Sequence, residues 1–114
     1  MNLTLTNITD KGTTKERLIL KALVDLDIGR FAIFRGEKSA TGITNKVYNT
    51  YWFPDKQVKA GDLIILYTGK GVSSSRISAN GNEYHFFYWG LSSPIWNLRS
   101  VATVLVSVPE WKVF

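Results

Sequence analysis

Leu3 and Leu5 alternate with polar neighbours, and this period of two predicts a short first strand or ordered arm ending near Thr9-Asp10-Lys11-Gly12. The segment Glu16–Leu26 carries two periods at once. Leu18, Leu20, Ala22, Val24 and Leu26 alternate as a strand does, while Ile19, Ala22, Leu23 and Leu26 keep helical spacing. Its Leu, Ala, Lys, Glu and Arg content favours a helix by propensity. The turn-like Asp27-Ile28-Gly29 and the second compact apolar run behind it, Arg30–Arg35, decide for a strand. Gly36 to Asn45 is turn and loop material. Val47, Asn49 and Tyr51 then alternate with Tyr48, Thr50 and Trp52, so this strand has large residues on both faces and is expected to be well covered. Pro54 ends it, because proline cannot donate to a ladder.

Lys59-Ala60-Gly61-Asp62 reads as a turn with Gly61 at a positive-φ position. Leu63–Tyr67 is a continuous apolar run of strand length, which predicts a central strand with Leu63, Ile65 and Leu66 largely buried. Gly69–Asn82, with three glycines and four serines, is expected to be a long mobile connection. Glu83–Gly90 returns as an aromatic strand, and Val101–Val108 follows as another, closed by Pro109. Trp111-Lys112-Val113-Phe114 is read as a short edge piece. Short strands at regular spacing, separated by turn signals, predict an all-β sandwich.

The chain has 114 residues, enough for one domain spanning residues 1–114 with a core that needs no staple. It has no cysteine, which excludes disulfides, thiol catalysis and cysteine-held metals. The N-terminus has neither a basic start nor a long apolar run, so no signal peptide or membrane span is expected, and a cytoplasmic location is. Fourteen basic residues against nine acidic ones give a net charge of +5, which favours anionic partners, although no run of three basic residues occurs.

Five groups of residues carry a family resemblance: Phe53-Pro54, Ala60-Gly61-Asp62, Tyr67-Thr68-Gly69-Lys70-Gly71, Tyr88-Trp89-Gly90 and Trp96-Asn97. In these positions the chain resembles the lamin-tail domain, a small immunoglobulin-like β-sandwich found alone or attached to many unrelated proteins. The resemblance covers roughly half the chain. It implies an immunoglobulin-like two-sheet β-sandwich of about seven to nine short strands, and a binding and attachment role. Many family members continue Trp-Asn into a turn carrying Gly-Asp, where this chain has Leu98-Arg99-Ser100.

Candidate chemistry is sparse. His85 is the only histidine, and no motif supplies it with a partner for acid–base or metal work, so it reads as an ordinarily hydrogen-bonded strand residue. Asp25 and Asp27 share a strand face but read as turn residues. Gly69-Lys70-Gly71 matches only part of a phosphate loop, and Ser73, Ser74 and Ser75 have no base by pattern. Trp89 is expected in the core, and Trp111 to be available for contact. No catalytic residue, cofactor or metal is expected.

These readings describe a stand-alone, non-enzymatic binding module that acts through protein contact or self-association, of a size and simplicity that fit a phage or mobile-element accessory protein. The binding residues expected are Lys70, Arg76 and Trp111, with the Gly69–Asn82 loop and the Trp111–Phe114 end forming one patch. Two rivals stand beside it: binding of nucleic acid or a nucleotide through the basic loop, and a small hydrolase or lyase on the same fold.

Overall fold

The computed structural model describes all residues from Met1 to Phe114. It is all-β and contains no α-helix. The strands are β1 (Leu3–Thr9), β2 (Arg17–Ala22), β3 (Leu26–Asp27), β4 (Phe31–Ser39), β5 (Gly42–Trp52), β6 (Gln57–Val58), β7 (Leu63–Tyr67), β8 (Ser74–Ile77), β9 (Glu83–Tyr88) and β10 (Val101–Ser107). Ten strands exceed the expected seven to nine because β3 and β6 are a two-residue pair and because β8 lies inside a segment read as loop. A single 3-10 turn, Ile28–Arg30, is capped by Asp27, whose carboxylate accepts from the Gly29 N–H. Asp25 likewise accepts from the Ala60 N–H at 2.9 Å, so both aspartates of that region tie down turns.

β1-β2-β7-β9-β8 form a five-stranded sheet, β10-β4-β5 a three-stranded sheet, and β3-β6 a small ribbon. One core lies between the two larger sheets. Leu18, Leu20, Ala22, Ile64, Leu66 and Phe87 enter it from the first, Phe31 and Ile33 from the second, and Ile95 and Trp96 close it from a loop. In β2 the buried residues are Leu18, Leu20 and Ala22, so the strand period wins over the helical one. The reason is the pairing on both sides: β2 lies between β1 and β7, and only a period of two can serve both ladders. The strand nevertheless stops at Ala22, and Leu23 and Val24 are exposed.

β7 is the middle strand of its sheet, as the apolar run predicts. Ile65 and Leu66 are buried and Leu63 is half-buried. Gly61 before it has φ +88°, as the turn requires.

Four expectations are corrected. Gly36–Asn45 is not a loop: β4 runs on to Ser39 and β5 starts at Gly42, so only Ala40 and Thr41 turn between them. β5 is not well covered: it is an edge strand, almost all of it exposed, because no further strand pairs with it and no sheet packs on its outer face. The Gly69–Asn82 segment is not a plain loop, since β8 forms an antiparallel hairpin with β9 through Ser74↔Phe86 and Arg76↔Tyr84. The Trp111–Phe114 end makes no strand; it is exposed, and Trp111 packs edge-on against Trp52 with ring centroids 5.4 Å apart.

β7 and β9 run parallel as neighbours, so the chain leaving β7 must cross the end of β9 to reach β8 before turning back. Gly71 makes that crossing possible. It lies against the Tyr88 ring, where any Cβ would overlap the ring carbons.

Candidate functional site

Two buried carboxylates organise the polar interior. Asp62 accepts from the Lys59 N–H, the Glu83 N–H and His85 Nε2, at 3.0, 3.0 and 2.9 Å. Burial alone would raise its pKa, but the Glu83 N–H, His85 and the Lys59 N–H outweigh that and hold the carboxyl below its ordinary range. His85 Nε2 faces the carboxylate, and its buried Nδ1 has no hydrogen-bond partner. Ser75 stands opposite His85 in the β8–β9 register yet forms no hydrogen bond to that nitrogen. The pair joins the turn before β7 to β9, and this is what it does for the fold.

Glu16, fully buried, is the second. It accepts from the Gly12 N–H, the Thr68 hydroxyl, the Ile95 N–H and the Trp96 N–H, at 3.0, 2.6, 3.0 and 3.1 Å. It thereby fastens the β1–β2 turn, the exit of β7 and the loop before β10 to one carboxylate.

The outer face of the five-stranded sheet has a different chemistry. Register places Thr9, Arg17, Tyr67 and Tyr88 in one row, Asn7, Ile19, Ile65, Phe86 and Ser74 in the next, and Thr4, Lys21, Leu63, Tyr84 and Arg76 in the third. Tyr67 and Tyr88 stack at 5.0 Å with an interplanar angle of 11°. The Arg17 guanidinium lies 5.6 Å from the Tyr67 centroid, and that of Arg76 lies 5.4 Å from Tyr84 and 5.7 Å from Phe86. Ile65 is 8% exposed yet packs outside the main core, covered by this layer of rings. No carboxylate stands in the three rows. At one corner Asp10 pairs with Arg17 at 2.8 Å.

Beside the first row, beyond the end of β7, a cleft of about 360 Å³ is lined by Thr13, Thr14, Thr68, Gly69, Lys70, Leu91, Ser92, Ser93 and Pro94. On the other sheet, Phe34, Ile43, Val47, Val104 and Val106 line an apolar groove of about 310 Å³.

The three binding residues expected from sequence thus have separate surroundings. Lys70 lines the cleft, Arg76 lies over the rings of β9, and Trp111 rests on Trp52 beside β5. Trp96 is 2% exposed in the core, while Trp89 is half-buried and packs between Tyr51 and Trp96. None of Arg17, Lys21, Tyr67, Tyr84, Phe86 and Tyr88 is among the binding candidates read from sequence, where Tyr67 and Tyr88 enter only through the resemblance. The signal for them was the alternation within β9, where Tyr84, Phe86 and Tyr88 share the face opposite His85 and Phe87.

No helix is long and apolar enough to cross a membrane. No protein-family model matches the chain, and no curated protein matches it.

Proposed function

We propose that this chain is a lamin-tail-like, immunoglobulin-like β-sandwich that binds without catalysing, and that its occupant is a single-stranded nucleic acid laid across the outer face of the five-stranded sheet. One observation carries the reading: Arg17 with Tyr67 and Tyr88, and Arg76 with Tyr84 and Phe86, form two clusters of cation and rings on one face of the sheet. Rings offer a stacking surface to any base, at about 1–3 kcal/mol per stacked base, while cations follow the phosphates. A net charge of +5 favours the encounter. This surface weighs for nucleic acid over the protein contact expected from sequence, because Arg76 and Lys21 stand among its rings with no carboxylate in the three rows, and the one acid at its corner, Asp10, is paired with Arg17. The turn at Gly61-Asp62, the crossing at Gly71 and the buried Trp96 support the lamin-tail-like assignment, since each holds a position of the resemblance.

The test is fluorescence anisotropy with a labelled ten-nucleotide single strand and the same sequence as duplex. The single strand is expected to bind more tightly, with affinity falling as salt rises. Lys21→Ala with Arg76→Ala should flatten the salt dependence, and Tyr84→Ala with Phe86→Ala should weaken binding about tenfold or more with the slope retained. Equal affinity for duplex, or indifference to the ring substitutions in a folded protein, sinks the reading.

A further inference from the structure

We infer that the cleft beside Lys70 is an oxyanion site that takes a phosphate group. Five of its nine lining residues carry hydroxyls. Those of Thr13 and Thr68 already donate, to the Asp10 carbonyl and to Glu16, while those of Thr14, Ser92 and Ser93 have no partner within the protein. Lys70 supplies a cation. The backbone N–H groups of Thr14, Gly69, Lys70, Ser92 and Ser93 donate to no acceptor within the protein. Hydroxyls, free amides and an ammonium group are the donor set that recognises a tetrahedral oxyanion.

No acidic side chain lines the cleft. The nearest buried carboxylate, Glu16, holds the Thr68 hydroxyl and three N–H groups on its two oxygens and takes none of the Thr14, Ser92 and Ser93 hydroxyls. Lys11 and Lys15 belong to the same turn as Thr13 and Thr14 and add positive charge, while Asp10 of that turn is held by Arg17. A volume of about 360 Å³ holds a phosphate with part of what it is attached to.

The position of the cleft says what the attachment is. Thr68, Gly69 and Lys70 directly follow Tyr67, and the Thr13–Thr14 turn leads into Arg17, so the cleft adjoins the Arg17–Tyr67–Tyr88 row. A strand whose terminal base lies against the stacked Tyr67–Tyr88 pair would set its end phosphate in the cleft. This last assignment rests on the strand-binding reading above; the oxyanion site itself does not.

The experiment separates the two. Inorganic phosphate is titrated into ¹⁵N-labelled protein at constant ionic strength, with chloride as the control. Saturable amide shifts are expected at Thr14, Gly69, Lys70, Ser92 and Ser93, and Lys70→Ala should weaken the affinity about tenfold. Ser92→Ala with Ser93→Ala should weaken it as well. Shifts that chloride reproduces, shifts that do not saturate, or an unaffected Lys70→Ala protein overturn the site.

Ten-nucleotide strands with and without a 5′-phosphate, and with a 3′-phosphate, are then compared. Preference for one phosphorylated end, lost in Lys70→Ala, upholds the strand-end assignment. Equal binding of all three strands overturns that assignment, and saturable inorganic phosphate binding then marks a site for a free phosphate compound. If no strand binds while inorganic phosphate still does, the reading of the sheet face fails and the oxyanion site stands.

Discussion

Glu16 and Trp96 are separated by 80 residues of chain and joined by one hydrogen bond, the Trp96 N–H donating to Glu16 Oε1 at 3.1 Å. The neighbouring Ile95 N–H donates to the other oxygen, so a single carboxylate closes the loop before β10 over the core. A buried carboxylate without a cation partner is tolerated because four donors replace its water.

Glu16→Ala should therefore be among the most damaging single changes. It leaves buried donors unpaired, at about 1–3 kcal/mol each, and a net loss of about 3 kcal/mol or more is expected from urea unfolding. Glu16→Gln should cost less than the alanine change, because one oxygen remains. A loss under about 1 kcal/mol for Glu16→Ala would show that water replaces the carboxylate freely.

Leu66 is 1% exposed in the middle strand of the larger sheet. Leu66→Ala should cost about 2–5 kcal/mol by urea unfolding, as a cavity in a packed core does. Val72→Ala, at a site 87% exposed, should stay within about 0.5 kcal/mol of the parent protein.

Acid should weaken the protein through Asp62. Burial raises this carboxyl's pKa, and the hydrogen bonds from the Glu83 N–H, His85 and the Lys59 N–H lower it by more, so folding depresses it. A carboxyl depressed on folding adds stability above its unfolded pKa, near 4, and that contribution is lost as pH falls through the folded value. The urea midpoint should drop on going from pH 6 to pH 3. Asp62→Asn should be less stable at pH 6 and show a smaller drop; an equal drop in both proteins would place the acid sensitivity elsewhere.

Trypsin should make its first cut within Gly69–Asn82 after Lys70. Lys70 is exposed and outside any ladder, whereas Arg76 lies in β8, paired with Tyr84 of β9. Mass spectrometry of a short digest decides it, and a first cut after Arg76 would mean that β8 opens before its flanking loop.

Gly71→Ala should displace the Tyr88 ring or the chain crossing it, because the added Cβ overlaps the ring. Overpacking of this kind costs about 1–3 kcal/mol. The same change should weaken the proposed strand binding by disturbing the Tyr67–Tyr88 stack; unchanged stability would mean that the crossing relaxes without strain.

By itself the sequence determined that the chain is all-β and placed most of its long strands and several of its turns. The period of two in Leu18, Leu20 and Ala22, the apolar run of β7 and the Gly61-Asp62 turn are local signals, written in adjacent residues. It also offered Lys70, Arg76 and Trp111 as binding candidates, though not their surroundings. Alternation says that a strand has two faces, but not which strand lies beside it or which face is covered. β5 has the same large residues on both faces that a covered strand would have, and it lies exposed because no layer reaches it. β8 was hidden because its four residues are ordinary loop residues until β9 pairs with them. Only the tertiary pairing set Arg17 over Tyr67 and Arg76 over Tyr84, and only the closing of the core brought Glu16 to Trp96. Those contacts join distant parts of the chain, and their energy exists only once both sheets are in place.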